Sequence, residues 1–130
     1  MKKPFDRATA RYMYVLIRTD LTPAQQTVQA IHAGMQAVAQ HGGLTHDTRL
    51  SLLSVHSLEE LEEWARRCHE QGISFELFHE PDHDIGWSAL ATAPISAEQG
   101  RVFRRARLWT PAMPHQAPSP KDLSTYTLSA

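Results

Sequence analysis

The sequence predicts a small three-layer α/β sandwich, in which a mixed four-stranded sheet carries helices on both faces. Short apolar runs alternate with helical patterns in the order strand, helix, strand, helix, strand, strand, helix. The chain has 130 residues, which is the size of one domain with a single core. It contains 42% hydrophobic and 21% charged residues, as ordinary globular proteins do.

The first strand and the first helix have the clearest signals. Residues 12–18, YMYVLIR, are apolar at both alternating positions, as expected of a strand that is covered on both sides. A capping box of the form Thr-x-x-Gln begins a helix at Thr22, and a proline takes its first helical position. Two glycines at residues 42–43 end this helix.

This first helix has no charged residue in residues 22–43, although the outer side of a surface helix normally carries charge. One face is apolar at helical spacing and is predicted to pack on the sheet: Val28, Ile31, Met35 and Val38. A second face permits close backbone approach: Ala30, Ala33 or Gly34, and Ala37. The third face, predicted to turn away from the core, is polar and uncharged: Gln25, Gln29, His32, Gln36 and Gln40. We interpret this polar face as a solvated surface, a dimer interface or the wall of a site.

The second helix is predicted to be purely structural. Ser57 begins it with another capping box, glutamates follow near its N-terminus, arginines lie near its C-terminus, and Gly72 ends it. Its buried stripe is expected to comprise Leu58, Leu61, Trp64 or Ala65, and Cys68. Residues 49–55 and 73–78 are predicted to form the second and third strands.

The remaining elements complete the predicted domain. Residues 87–93, WSALATA, are predicted to form a fourth strand after an acidic loop. Ser96 can cap a last helix that runs to about Trp109. The domain is therefore assigned to residues 12–109, with a basic extension at residues 1–11 and a proline-rich tail at residues 110–130.

Charge is segregated along the chain, although the net charge is −1. Residues 1–11 carry +3, residues 12–93 have four arginines against eleven acidic residues, and residues 94–130 carry +3. Attraction for a polyanion should therefore come from the two ends of the chain. The single cysteine excludes an internal disulfide, and no apolar run is long enough for a membrane helix. We expect a cytoplasmic protein without a signal peptide and without membrane contact.

Three separated motifs resemble the type II peptidyl-tRNA hydrolase family. The first is RTDL at residues 18–21, followed by Gln-x-x-His-Ala at residues 29–33. The second is FELFHEPD at residues 75–82, and the third is SALATAP at residues 88–94. The resemblance implies the fold of that family over residues 12–109, esterase activity on the 3′ end of tRNA, and a homodimer. The chargeless first helix, with its small-residue face, is a candidate dimer contact.

The chain resembles a divergent member of this family, because it departs from the family pattern at several positions. The family has a lysine four residues before the motif glutamine, where this chain has Gln25, and the turn here is two residues shorter. The aspartate after the third strand corresponds to Glu80, with Asp82 two positions on. The threonine that begins the fourth strand corresponds to Ser88.

The resemblance and the chemistry together assign candidate site residues. Ester hydrolysis needs an activated water, a stabilised oxyanion and a bound acceptor stem. An acid of the loop could activate the water if burial raises its pKa. The candidate catalytic residues are His32, Glu80, Asp82 and Ser88, which must then converge on one pocket beside the acidic loop. The candidate substrate-binding residues are Arg18, Asp20, Gln25 and Gln29, and the candidate RNA-binding residues are Arg101, Arg104 and Arg105 on one side of the last helix.

Several of these residues have a structural alternative. Gln25 completes the capping box, and Asp20 can fix the turn between strand and helix. The loop acids and the three arginines can each form a solvated surface. His79 and His83 flank Asp82, but two histidines and one acid on a loop are weak evidence for a metal, and we expect no metal and no cofactor.

Two functions are therefore open. The first is a peptidyl-tRNA hydrolase-like esterase that releases peptides or amino acids from tRNA, in which case tRNA is the partner. The alternative is a catalytically silent member of the same fold that binds RNA, a nucleotide or a protein. The retained motif residues favour the enzyme, whereas the acidic middle of the chain and the missing lysine favour the binding module.

Overall fold

The computed structural model describes residues 5–111. Most of the predicted proline-rich tail, and the start of the predicted N-terminal extension, lie outside these residues. In chain order the described elements are β1 (Tyr12–Arg18), α1 (Pro23–His41), β2 (Arg49–Val55), α2 (Leu58–Glu70), β3 (Phe75–Glu80), β4 (Gly86–Thr92) and β5 (Arg107–Leu108). Two short 3₁₀ turns, Asp82–Asp84 and Gln99–Phe103, connect the last strands.

The strands form one mixed sheet in the order β3-β4-β1-β2-β5. β1 and β2 run parallel, and α1 forms the crossover between them, as parallel neighbours require. β4 is antiparallel to both β1 and β3, and β5 is antiparallel to β2. The prediction of a mixed α/β fold is confirmed.

The count of four strands is wrong, because within residues 5–111 the sheet has five. The predicted last helix is also wrong: this stretch forms the 3₁₀ turn Gln99–Phe103 and then β5. Gly100 disfavours a regular helix there and lies so close to Tyr14 that a Cβ at residue 100 would be 2.5 Å from the Tyr14 hydroxyl oxygen. The described chain therefore has one α-helix on each face of the sheet, which is one helix fewer than predicted.

α2 packs through the predicted side, although Leu58 at its start is only half-buried. The Ser57 side chain accepts a hydrogen bond from the backbone N–H of Glu60 and so caps the helix. Leu61, Trp64 and Cys68 are buried in a cluster with large apolar side chains of the sheet, which include Leu16, Leu53, Val55 and Leu90. This cluster is the larger of the two cores, and Phe103 completes it by stacking on Trp64 with ring centroids 5.4 Å apart.

α1 packs with a different face from the one predicted. Gln29 is 3% exposed, whereas Val28 is 48% and Met35 63% exposed. The helix is therefore rotated by roughly half a turn relative to the prediction. The reason is the strand beneath it: small residues of the helix meet small residues of β4, so the two backbones approach closely and leave no room for larger side chains. These residues are Ala33 and Ala37 of α1, and Ala89 and Ala91 of β4.

Candidate functional site

A chain of hydrogen bonds connects α1 with the starts and ends of the neighbouring strands. The Ser88 hydroxyl donates to Oε1 of Gln29 at 2.6 Å, and Nε2 of Gln29 donates to Oε2 of Glu80 at 3.0 Å. Ser88 and Gln29 are buried, whereas Glu80 is half-buried at the end of β3. We call these three residues the Ser88–Gln29–Glu80 chain. It runs from the interior to the surface and ends on a carboxylate.

The polar face of α1 lies along β3, the edge strand of the sheet. Three residues of this face each contact one alternate residue of the strand. The contacts are Gln29 with Glu80, the His32 ring stacked on Phe78 with centroids 4.7 Å apart, and Gln36 with Glu76 at 3.1 Å. The face that was predicted to turn away from the core is therefore partly covered, and it holds the exposed ring of His32 beside Glu80.

Glu80 is a fixed anion at neutral pH. The hydrogen bond from Gln29 holds the pKa of the Glu80 carboxyl below its ordinary value, and the backbone N–H of Asp82, at 3.1 Å, lowers it further. Electrostatic interaction with the nearby imidazoles of His32 and His83 acts in the same direction. Burial acts in the opposite direction but is outweighed, so the net shift of this pKa is downward and Glu80 does not meet the condition set for a general base near neutrality.

Arg18 and Asp20 hold the turn between β1 and α1. Two nitrogens of the Arg18 guanidinium donate to the two carboxylate oxygens of Asp20, at 3.0 and 2.8 Å. The Arg18 side chain also donates to the backbone carbonyl oxygens of Ile85 and Trp87, and so ties the end of β1 to the turn before β4. The hydrogen bond from Arg18 lowers the pKa of Asp20. Both residues, predicted to bind substrate, bind each other and the backbone here.

Gln25 acts as a helix cap. Its Oε1 accepts a hydrogen bond from the backbone N–H of Thr22 at 3.0 Å, and the Thr22 hydroxyl oxygen accepts from the backbone N–H of Gln25. This capping box was the structural alternative for Gln25. The Gln25 side chain, at the position that was compared with a family lysine, thus binds its own helix start.

The acidic turn beside the Ser88–Gln29–Glu80 chain has an unusual backbone. His83 and Asp84 have φ angles of 57° and 54°, in the left-handed region that non-glycine residues rarely adopt. Asp82 is exposed at the start of this turn. Trp87 follows the turn, is 44% exposed and meets the edge of the His79 ring at a centroid distance of 4.7 Å. Sequence reasoning did not predict this turn geometry.

The three arginines predicted to bind RNA do not share one surface. Arg101 and Arg104 are three residues apart, which places them on one side of a 3₁₀ turn, where residues i and i+3 eclipse. Both line a polar surface cleft of about 900 Å³, whereas Arg105 is exposed outside it. The prediction of one helical side for all three is wrong because the helix does not form. The other charged residues in the cleft are Asp6, Arg7 and Glu98.

Residues 5–111 contain neither a metal-binding cluster nor a membrane-spanning helix. Between residues 5 and 111, no group of three or more His, Cys, Asp or Glu side chains is placed to hold a metal ion, so His79, Asp82 and His83 do not form one. In that range no helix is both long and apolar enough to cross a bilayer.

The fold and these contacts define a small mixed α/β domain with a buried polar chain beneath its first helix. The sequence matches no known protein family model and no curated protein. Its fold is similar to the solved structure of a protein of unknown function from Agrobacterium tumefaciens strain C58, with a TM-score of 0.61. The two chains are 17% identical, and the match covers 77% of this chain and 98% of that chain. At this identity the likeness shows the fold alone.

Proposed function

We propose that this protein is an esterase that releases peptides or amino acids from the 3′ end of tRNA, as its resemblance to the type II peptidyl-tRNA hydrolases implies. One observation carries this proposal. The Ser88–Gln29–Glu80 chain takes one residue from each of the three motifs that resemble the family, and it joins them by direct hydrogen bonds. The motifs are 51 and 59 residues apart at these bonds, so local chain geometry does not bring them together.

The energetics of the Ser88–Gln29–Glu80 chain support a functional role for these three residues. A buried hydrogen bond contributes a net ~1 kcal/mol, and apolar residues of similar shape can be as stable. A small core therefore gains little stability by keeping a serine and a glutamine in contact beneath a helix. What the arrangement does provide is one orientation for the Glu80 carboxylate.

The residues divide into two groups by exposure. Ser88 and Gln29 are buried and bonded to each other, so we assign them as positioning residues. Glu80 and His32 are open to a ligand. In the proposed reaction the His32 imidazole takes a proton from water, and the hydroxide attacks the ester carbonyl. The Glu80 carboxylate stabilises the imidazolium, which then returns the proton to the departing ribose oxygen.

The proposed enzyme should be slow. Where the related family has a lysine this chain has the capping residue Gln25, so the developing oxyanion has neutral donors instead of a cation. Loss of a cationic donor raises the barrier by about 3 kcal/mol, which is about a hundredfold in rate.

A catalytically silent binding module is the second candidate. The observation that favours it is the pKa of Glu80, which lies below its ordinary value and makes this carboxylate a weak base. Such a module would bind the tRNA end through the same surface and release it uncleaved.

Cleavage of peptidyl-tRNA, measured beside a known hydrolase at equal concentration, separates the two candidates. Glu80→Gln and His32→Gln should each abolish cleavage and keep the fold. Glu76→Gln is the matched control, because Glu76 lies on the same strand and also accepts a hydrogen bond from a glutamine of α1. Asp82→Asn tests the second candidate acid, with Asp84→Asn as its control. Absence of cleavage by the wild type would leave the binding module, whereas full activity in Glu80→Gln would contradict the role assigned to Glu80.

Phosphate contacts of the tRNA are proposed for Arg101 and Arg104. The segment from Ser88 to Ser96 would span roughly 25 Å if fully extended, so the cleft and the Ser88–Gln29–Glu80 chain are proposed to contact separate parts of a tRNA. Arg101→Ala with Arg104→Ala should weaken tRNA binding and make the dependence on log salt shallower by about two. Arg105→Ala, outside the cleft, should have a smaller effect on tRNA affinity and on its salt dependence. An equal effect of all three substitutions would contradict the assignment.

A reducing cytoplasm, which suits the single cysteine, is the proposed location.

A further inference from the structure

The outer side of α1 is apolar and lies uncovered among residues 5–111. Val28, Ile31 and Met35 are large and exposed, and they follow one another at intervals of three and four residues. A helix that faces water carries charge on this side, whereas residues 22–43 contain no charged residue. Exposed apolar patches of this kind mark interaction surfaces.

An apolar groove of about 970 Å³ lies between this side of α1 and β2. It forms because α1 packs over β4, β3 and β1 and leaves the β2 side of the same face uncovered. Thr48, Leu50 and Leu52 line the groove opposite the helix. Among the described residues, no charged side chain lines it, so it suits an uncharged apolar occupant. We call it the α1–β2 groove.

The dimer contact that the sequence indicated on α1 is not available to a partner. Ala33 and Ala37 of the small-residue face are fully buried against the sheet, so the prediction of a contact through them is wrong. The homodimer that the family resemblance implies stays a prediction, and it needs another surface.

The chain itself leads into the α1–β2 groove at the end of the described residues. Trp109 lines the groove, and its indole N–H donates to Oε1 of Gln26 at 2.8 Å. The described residues end two positions later, at Pro111. The occupant that begins at the groove wall is therefore the following part of the same chain, residues 112–130. We call these residues the C-terminal segment.

The pairing of β5 with β2 sets the direction in which the chain leaves Trp109. Leu108 lies opposite Leu53 in an antiparallel register, and the backbone N–H of Trp109 donates to the carbonyl oxygen of Leu52 at 2.9 Å. This register, continued, places residue 111 opposite Leu50 and residue 113 opposite Thr48. Alternate residues of a strand share one face, so Trp109, Pro111 and Met113 would all face the groove.

Pro111 explains why β5 ends while its direction still runs along the groove. Residue 111 is where the ladder next needs a backbone donor, two positions after Trp109. Proline has no backbone N–H, so pairing with β2 stops there. The chain is then free to move from the edge of β2 over the groove.

The C-terminal segment is long enough to cover the groove. The α1 wall runs from Gln26 to Ala39, which is roughly 20 Å of helix. About six extended residues cross that distance, and the segment has 19. It can therefore reach the far end of the groove and return.

The composition of the C-terminal segment matches the groove. Its charged residues are Lys121 and Asp122, which are adjacent and cancel. Proline-rich segments bind apolar grooves with aromatic walls, and here Trp109 supplies the aromatic wall. The large apolar side chains that it can place in the groove are Met113, Leu123, Tyr126 and Leu128.

We propose that residues 112–130 of the same chain cover the α1–β2 groove, with Met113 as the first contact. Gly34 in the groove wall supports this occupant. Glycine is disfavoured in the middle of a helix, and a Cβ at residue 34 would meet no described atom within 4 Å. The missing side chain leaves a gap in the wall into which the backbone of the segment can pack.

Tethering favours the C-terminal segment over a separate partner. A segment attached at the groove has an effective concentration on the order of millimolar, roughly 100-fold above that of a second copy at about 10 μM. A contact that a free peptide would make with a Kd of about 0.1 mM is then formed in about nine of ten molecules. A weak apolar contact therefore suffices. The proposal does not depend on esterase activity, so each proposal can fail without the other.

Thiol labelling of the full chain tests the proposal. Ile31→Cys places a thiol in the groove, and Gln40→Cys places one at an exposed position of the same helix outside the groove. The native Cys68 is fully buried and gives a low background. With each rate divided by the rate of the same variant in urea, Ile31→Cys should react at least about tenfold more slowly than Gln40→Cys.

Two substitutions one residue apart test whether Met113 makes the first contact. Met113→Asp and Ala112→Asp add the same charge, but the β5 register points residue 113 toward the groove and residue 112 away from it. In the Ile31→Cys background, Met113→Asp should raise the labelling rate at least about fivefold, and Ala112→Asp less than about twofold.

A disulfide test measures the proximity directly. Met35→Cys combined with Met113→Cys should form a disulfide within one chain in glutathione disulfide, because both residues are assigned to the groove. Gln40→Cys combined with Met113→Cys is the matched control and should form it at least about tenfold more slowly.

Other occupants of the groove give different results, and each would overturn the proposal. Equal labelling of Ile31→Cys and Gln40→Cys would mean an open groove, available to a small apolar ligand. Protection of Ile31→Cys that disappears on dilution would mean a second copy. Protection that Met113→Asp leaves unchanged, or equal disulfide rates in the two pairs, would mean that another part of the chain covers the groove.

Discussion

α1 and α2 lie on opposite faces of one sheet and divide their residues in opposite ways. α2 buries large apolar side chains such as Leu61 and exposes a network of glutamates and arginines around Arg66. α1 buries small and polar residues such as Ala33 and Gln29, and exposes large apolar ones such as Ile31. Both helices have an apolar stripe at helical spacing, so the stripe alone does not tell which partner covers it.

The strands beneath the two helices account for the difference. Under α2 the sheet presents large side chains such as Leu53, and a helix there packs at an ordinary distance through large residues of its own. Under α1 the strand with the most contacts is β4, which presents the small side chains of Ala89 and Ala91, while larger residues of β1 lie beside them in the same cluster. A helix above them fills the space only by coming close, and it then has to present small residues.

The largest expected effect separates the two stripes directly. Leu61→Ala should lower the free energy of unfolding by about 2–5 kcal/mol, because it leaves a cavity in the larger core. Ile31→Ala should change it by less than about 1 kcal/mol, because Ile31 is exposed among residues 5–111 and the proposed cover adds only a weak contact. Urea unfolding measures both. Equal losses would mean that Ile31 belongs to a core packed as tightly as that around Leu61.

Overpacking the close helix–sheet contact should have the next largest effect. Ala33→Leu should destabilise the fold by about 1–3 kcal/mol, because the added side chain has to displace α1 from β4. Ala65→Leu is the comparison on α2, where the alanine is half-buried at the margin of the core. Unfolding midpoints in urea should fall clearly for the first variant and little for the second. The opposite ranking would contradict close approach of α1.

Removal of the buried hydroxyl tests the polar part of the α1 contact. Ser88→Ala leaves Oε1 of Gln29 buried without its donor, which should lower the free energy of unfolding by about 1–3 kcal/mol. Ser51→Ala, at a half-buried serine of β2, is the control and should change it by less than about 0.5 kcal/mol. If both substitutions are neutral, the Ser88–Gln29–Glu80 chain contributes no measurable stability.

The smallest expected effect is the pH dependence from Glu80. Because folding lowers the pKa of Glu80 below its ordinary value near 4.5, the ionised carboxylate stabilises the fold above that value. This contribution should disappear as the pH falls through the lower folded pKa. The stability difference between the wild type and Glu80→Gln should therefore shrink on acidification. Gln29→Leu should move the Glu80 pKa upward in an NMR titration, and an unchanged pKa would exclude Gln29 as the main cause.

The sequence by itself determined the elements that depend on neighbouring residues. The bounds of β1 and β2 in the structure equal those predicted, and both helix caps form at Thr22 and Ser57 as predicted. Strand alternation and capping boxes act over a few residues, so their signals are complete within a short stretch of sequence. The α2 stripe was also predictable, because charged residues mark its outer side and leave one choice for the buried side.

Tertiary structure alone decided which side of α1 meets the sheet, where the fifth strand forms and how the candidate site is joined. No charged residue marks the solvent-facing side of α1, so its sequence does not specify which side meets the sheet. The small residues of β4 set the rotation of the helix instead. Leu108 extends and pairs with Leu53, a residue distant in sequence, although the local pattern favours a helix. Gln29 meets Glu80 and Ser88 across 51 and 59 residues of chain, because contacts of that separation depend on packing distances that no local pattern specifies.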